Sequence, residues 1–231
     1  MRIGIIGAGN IGGALTRRLT ALGHEVAVAN SRGPESLAAL AAETGARAVT
    51  AREAAQAGEI VVVTIPMKRI PDLPKDLFAG VPAEVTVIDT GNYYPQQRDG
   101  RIAGIEDGLT ESRWVERQLG RAVIKVFNNI YAKHLQDNGK PKSTPGRIAL
   151  PVSGDDAAAK ARVMALVDAL GFDPVDTGGL DESWRQQPGT PVYTQDYDAD
   201  GVRNALAAAS PERKAAWRAT ANSPGDFARP A

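Results

Sequence analysis

The chain has 231 residues, with 27 basic residues balanced by 27 acidic ones and no cysteine. Balanced charge gives no general attraction to nucleic acid or to an anionic membrane surface, and the lack of cysteine excludes disulfides, thiolate metal sites and thiol catalysis. No apolar run approaches the ~20 residues of a membrane helix, so the chain reads as a globular, cytoplasmic protein long enough for a substantial core.

Arg2–Ile6 is a short apolar run, a first core strand and not a leader segment. Gly7, Gly9 and Gly12 follow in the spacing G-x-G-x-x-G, and apolar residues then recur at helical intervals from Ala14 to Leu22. Strand, glycine turn and helix stand in the order a dinucleotide site requires. Gly7 allows the tight turn, Gly9 lets a phosphate approach the backbone, and Gly12 lets helix and strand pack closely. The helix N-terminus offers free N–H groups to a pyrophosphate. Gly23 ends this helix, and Glu25–Asn30 reads as the second strand. A chain that takes NAD carries Asp or Glu at the end of this strand, for the ribose 2′-OH. Here Asn30, Ser31 and Arg32 stand instead. No carboxylate opposes a 2′-phosphate, Ser31 can donate to it, and Arg32 supplies a planar cation, so NADP(H) is the expected nucleotide.

Pro34-Glu35-Ser36 opens a helix over Leu37–Glu43, and Gly45 caps it. Thr50–Glu53 is a capping box that starts a helix to Ala57. Glu59–Ile65 is a strand stopped by Pro66, which puts Thr64, Ile65 and Pro66 at a carboxyl end of the sheet. A broken helix is expected over Asp72–Phe78, then a strand over Val85–Asp89, a loop from Thr90 to Pro95 and a long polar loop over Gln96–Gly108. Thr110–Leu119 reads as a helix, Ala122–Phe127 as a strand, Ala132–Gln136 as a short helix, Ile148–Val152 as a strand, Ala157–Leu170 as an amphipathic helix and Pro174-Val175 as a last short strand. Beyond Leu180 periodicity fades, until two helices close the chain over Gly201–Ala208 and Pro211–Ala221. The β-α-β order gives an α/β, Rossmann-like, doubly wound parallel sheet over residues 1–180. A small C-terminal helical subdomain over 181–231 is expected to fold over the carboxyl edge of that sheet.

Gly7-Ala8-Gly9-Asn10-Ile11-Gly12, Asn30-Ser31-Arg32, Thr64-Ile65-Pro66, Lys125-Val126-Phe127-Asn128, Val152-Ser153-Gly154-Asp155-Asp156 and Leu170-Gly171-Phe172 with Pro174-Val175-Asp176 together resemble the NADPH-dependent reductases of the deazaflavin coenzyme F420. They are also similar to the cytoplasmic reductase domain of the six-transmembrane metalloreductases. The resemblance implies that Asn10 and Ile11 offer backbone N–H groups to the pyrophosphate. It implies that Ser31 and Arg32 hold the 2′-phosphate and that Thr64–Pro66 line the path of ribose and diphosphate. Asn92, Asn128 and Asn129 would flank the nicotinamide, with Ile130 and Tyr131. The implied reaction is direct hydride transfer to a stacked planar acceptor, F420 or a flavin, which needs alignment more than an acid or base. Tyr131 departs from the small residues these reductases tend to carry there.

Other residues admit two readings each. Tyr131 is either a proton donor to a small carbonyl or imine substrate, the catalytic residue of a second enzymatic reading, or a packing residue. Trp184 and Arg185 either close the acceptor site by stacking and charge or dock the tail. His134 follows Tyr131 by about one helical turn and faces either the pocket or solvent; His24 packs or hydrogen-bonds at a strand start. Asp196–Gly201 copies half of an EF-hand loop, but the twelfth position is Ala207, so it reads as an acidic helix N-terminus and no metal is expected. A non-catalytic NADPH-sensing module is the remaining reading, and a homodimer is one assembly open to the chain.

Overall fold

The computed structural model describes residues 1–212. Its strands β1 (Arg2–Ile6), β2 (Glu25–Ala29), β3 (Arg47–Ala48), β4 (Ile60–Val63), β5 (Thr86–Asp89) and β6 (Val123–Lys125) form one parallel sheet in the order 3-2-1-4-5-6. Their apolar residues alternate between two covered faces. Ile3, Ile5, Val26, Val28, Ile60, Val62, Ile88 and Ile124 point to one side, where α1 (Asn10–Ala21), α6 (Ala132–Asp137) and α7 (Ala157–Ala169) supply Leu15, Leu19, Leu135, Val163 and Leu166. Ile6, Ala27, Ala29 and Val61 meet α3 (Ala51–Ala57) on the other, and Val63, Val87 and Val123 meet Trp114 and Val115 of α5 (Glu111–Leu119). Burial on both faces explains why the interiors of β1, β2 and β4 are apolar on both sides, without polar alternation.

The order reverses between β1 and β4, so a crevice opens between their carboxyl ends. The two-residue β3 has too short a pattern to announce itself in sequence; after Gly45, which closes α2 (Ala38–Thr44) in a left-handed conformation, it extends the sheet edge. The helix expected over Asp72–Phe78 does not form. Pro74 interrupts it, and the turn of helix lies earlier, as a 3-10 segment over Met67–Asp72 that contains Pro71. The long loop after β5 holds a wide turn at Pro95–Asp99 and a single helical turn, α4 (Ala103–Glu106).

The last two strands, β7 (Ala149–Val152) and β8 (Asp173–Asp176), do not extend the main sheet. They pair with each other and meet it through one antiparallel bridge, Lys125 to Ser153. One face of this pair lies on α7, and the other is covered by Val192 and by Val202 and Leu206 of α8 (Ala199–Ala207). Asp198 caps α8 by accepting from the Gly201 N–H at 2.8 Å. The helix expected over Pro211–Ala221 lies outside the described residues.

Candidate functional site

The crevice between β1 and β4 is a cleft of about 670 Å³, the size of a nucleotide site. Gly7, Gly9, Asn30, Ser31, Arg32, Thr64, Ile65 and Pro66 all line it. Gly7 has φ = 115°, and a Cβ there would stand 2.2 Å from the Thr64 carbonyl oxygen. At Gly12 a Cβ would stand 1.9 Å from the Gly7 carbonyl oxygen. These two glycines are required by the protein itself. A Cβ on Gly9 would meet nothing within 4 Å; it would project into space that the fold keeps clear. Gly9 also caps α1 with no side-chain hydrogen bond, which leaves the first N–H groups of the helix, at Asn10 and Ile11, for a ligand. The residues therefore fit a pyrophosphate.

Asn30 shapes the next turn. Its Oδ1 accepts from the Arg32 N–H at 2.9 Å, and its Nδ2 donates to Ser36 Oγ at 2.8 Å. Gly33 follows at φ = 91°. The side chains of Ser31 and Arg32 are exposed, and among the described residues Arg32 has no ion-pair partner. The loop is held by Asn30 and not by the two residues that face the cleft.

Along the same carboxyl edge the chains leaving β5 and β6 are knitted together. Asn92 Nδ2 donates to the Asn128 carbonyl at 2.7 Å, and Asn128 Nδ2 donates to Asn92 Oδ1 at 3.1 Å and to the Gln186 carbonyl at 2.6 Å. Gln186 Nε2 returns a bond to Asn128 Oδ1 at 2.9 Å. The side chains of Asn92 and Asn128 are thus taken up by protein. Asn129 differs: it is 1 % exposed, and neither Oδ1 nor Nδ2 has a partner among the described residues. Its backbone carbonyl accepts from the Thr194 N–H at 2.9 Å, so the C-terminal segment crosses directly over it. Two non-glycine residues in left-handed conformation, Phe127 (φ = 64°) and Thr194 (φ = 59°), turn the chain at this place. Such residues persist only where surrounding structure over-determines them, and they gather at functional sites. Tyr94 and Tyr193 touch through their hydroxyls nearby. Burial pushes the pKa of both above the usual tyrosine value, so both stay protonated.

A fully buried charge cluster underlies these loops. Lys125 Nζ donates to the Gly91 carbonyl at 2.5 Å and to Asp89 Oδ2 at 3.2 Å, with Glu111 Oε2 at 3.8 Å. Asp89 also accepts from the Gly91 N–H at 2.8 Å and from Ser112 Oγ at 2.6 Å. Burial pushes Glu111 up to about 8, against the opposing pull of Lys125. No sequence signal joins the members of the cluster, because Asp89, Glu111 and Lys125 lie on three separate elements.

Tyr131 stands at the start of α6 with 54 % of its surface exposed, its ring 5.4 Å from that of His134 in an edge-on arrangement. His134 Nδ1 lies 2.7 Å from Asp196 Oδ2. Ile130 is buried in the main core. Trp184 and Arg185 are not brought to this face. Trp184 lines a separate hollow with Leu109, Thr110 and Pro188. Arg185 stacks over Trp184 at 4.4 Å and pairs with Glu182 at 2.7 Å. Both dock the C-terminal segment. The Asp196–Gly201 carboxylates have structural partners: Asp196 has His134, Asp198 caps α8, and Asp200 pairs with Arg203. His24 packs at the start of β2, 3.4 Å from the Met1 amine, where burial and that positive charge lower its pKa.

Residues 2–93 match the model of the family described as NADP oxidoreductase, coenzyme F420-dependent. Protein YjhV of Escherichia coli K12 is 50 % identical over 62 residues, which span 27 % of this chain and 45 % of that protein. A crystal structure of the hypothetical protein SMa0349 from Sinorhizobium meliloti superposes with a TM-score of 0.70 at 33 % identity, over 84 % of this chain and 93 % of that one. A structure from Arthrobacter sp. FB24, described as a "putative f420 dependent nadp-reductase", superposes with a TM-score of 0.63 at 24 % identity over 80 % of this chain and 87 % of that one, a likeness of fold. No helix among the described residues is long and apolar enough to cross a membrane. With a nucleotide cleft built as its glycine turn and its Ser31-Arg32 pair require, the chain is an NADP-dependent oxidoreductase and belongs to the family of coenzyme F420-dependent NADP oxidoreductases.

Proposed function

We propose that the protein passes hydride between NADP(H) and a planar ring acceptor, a deazaflavin such as F420 or a flavin. Ser31 and Arg32 hold the 2′-phosphate, and the N–H groups of Asn10 and Ile11 hold the pyrophosphate. NADPH, when bound, supplies the hydride. Asn129 offers one donor and one acceptor to the nicotinamide end, while Asn92 and Asn128 keep the flanking loops in place. Tyr131 offers an exposed aromatic ring at the start of α6, suited to stacking a flat ring. The observation that carries this reading is the buried carboxamide of Asn129, with neither polar atom partnered among the described residues, two residues before the exposed Tyr131. Stacked transfer of this kind rests on alignment, so Tyr131→Phe keeps most of its turnover.

A second reading is favoured by one observation. The Tyr131 ring meets His134 edge-on, and His134 Nδ1 lies 2.7 Å from Asp196 Oδ2, so a tyrosine acid here has a histidine and a carboxylate close by. In that reading the acceptor is a small carbonyl or imine, and Tyr131→Phe loses most of its turnover while NADPH affinity is unchanged. NADPH oxidation measured with F420, with free flavin and with small imines, on wild type and Tyr131→Phe, separates the two. Turnover with the imines and none with either ring overturns the planar-acceptor proposal.

A further inference from the structure

The nucleotide cleft contains a second guanidinium that sequence reasoning missed. Arg69 lies on the 3-10 turn Met67–Asp72, three residues beyond Pro66, and lines the cleft together with Ser31 and Arg32. The wall around it is apolar, from Ile65, Leu73 and Pro74. The exception is Asp72, whose Oδ2 lies 3.1 Å from Arg69 Nη1. Both side chains are more than half exposed, at 64 % and 60 %, so water screens the pair and little holds it together.

Charge decides what these groups do. A ribose 2′-phosphate carries close to two negative charges at neutral pH, and Arg32 alone compensates about one. Asp72, on the same cleft, would repel the phosphate unless its own charge is offset. An unhindered cation facing Arg32 would complete the compensation. A guanidinium on a loose surface pair can supply it, since exchanging a screened carboxylate for a doubly charged phosphate strengthens its hydrogen bonds.

We propose that Arg69 is a second determinant of the preference for NADPH, exchanging Asp72 for the 2′-phosphate across the cleft from Arg32. The inference rests on NADP(H) occupying this cleft. It goes beyond the glycine turn and the Ser31-Arg32 pair by assigning discrimination to the chain after β4. Arg69 works there against Asp72. With Arg69 neutralised, Asp72 faces the ribose alone, where a carboxylate suits a 2′-OH and repels a 2′-phosphate.

The test is direct binding to the full chain, by calorimetry or fluorescence, with NADPH against NADH and with 2′,5′-ADP against 5′-AMP. Arg69→Gln is expected to weaken NADPH and 2′,5′-ADP about 10- to 100-fold and to leave NADH and 5′-AMP unchanged or tighter. Asp72→Asn is expected to tighten the two 2′-phosphorylated ligands, NADPH and 2′,5′-ADP, several-fold and not NADH or 5′-AMP. Both positions are exposed, so neither change threatens the fold. If Arg69→Gln shifts all four ligands equally, or none, the inference is overturned. If Asp72→Asn leaves 2′,5′-ADP unmoved, the partner exchange is overturned. Wild-type protein that fails to bind NADPH would instead overturn the nucleotide reading itself, which keeps the two failures apart.

Discussion

Asn129 is a buried amide that the fold leaves unsatisfied. Each buried donor or acceptor without a partner costs about 1–3 kcal/mol, so a protein selected for stability alone would not keep one here. Leucine has nearly the same shape and no polar atoms. Asn129→Leu is expected to stabilise the protein by about 1–2 kcal/mol in urea unfolding while lowering kcat/KM. If stability falls instead, the carboxamide has a protein partner and no ligand role. The three asparagines at 92, 128 and 129 look alike in sequence, and all were read there as flanking the nicotinamide. Only the hydrogen-bond network separates two that brace the loops from one that is free, and such a network depends on Gln186, 58 residues away from Asn128. By contrast Gly7, Gly9, Gly12, Ser31 and Arg32 were legible, because a turn and a strand end fix their surroundings within about thirty residues of chain.

Glu111 gives a second prediction at this scale. Its pKa is raised from 4.5 to about 8 by burial. The folded state therefore binds more protons than the unfolded state between those two values. The sign follows from linkage: stability from this group is complete below pH 4.5, declines as pH rises toward 8, and is flat beyond. Glu111→Gln removes the decline. Melting temperatures of wild type and Glu111→Gln from pH 5 to 9 should diverge steadily up to about pH 8, with the variant more stable on the alkaline side. Parallel curves would show that Glu111 is already ionised in the folded protein.

Among elements, the strands and the long helices were legible from apolar runs and caps. The segments that define the site were less so. Pro74 moved a helical turn forward to Met67–Asp72, which is why Arg69 and Asp72 reach the cleft. The strand β6 illustrates the other difficulty. Its buried residues end in Lys125, a lysine with no exposed surface, and nothing local says which carboxylates receive it. They come from β5 and α5. Breaking a buried ion pair by removing one member strands the other charge in a low dielectric, at about 3–5 kcal/mol. Lys125→Met is therefore expected to destabilise strongly. It also frees the Gly91 carbonyl and, with it, the loop that carries Asn92. Lys125→Met together with Asp89→Asn should recover most of the stability, since no unpaired charge remains beside Ser112. Equal loss in the single and double variants would mean that packing and not charge holds this cluster.

Across the whole molecule, the pair β7–β8 is tied to the loop of Asn128 and Asn129 through one side chain. These strands do not join the main sheet, contrary to the simplest reading of a repeated β-α-β order. Their link to it is the bridge from Lys125 to Ser153 and the buried amide of Gln186. Gln186 Oε1 accepts from Ser153 Oγ at 3.0 Å, and its Nε2 donates to Asn128 Oδ1 and, at 3.3 Å, to the Pro151 carbonyl. One residue of the C-terminal segment thus ties β7 to the loop that positions Asn129. Gln186→Ala removes these bonds and leaves buried polar atoms on both sides, at about 2–4 kcal/mol by the cost of unmet hydrogen bonds. Because the same amide holds the small strand pair and the Asn128–Asn129 loop, which is proposed to flank the nicotinamide, the loss should appear in two measurements together. Thermal unfolding should shift down as one transition, and kcat should fall with NADPH affinity nearly unchanged, since the phosphate-binding end of the cleft lies on β1, β2 and β4. A fall in stability with kcat preserved would show that the C-terminal segment only covers the sheet edge and does not position the reacting end of the nucleotide.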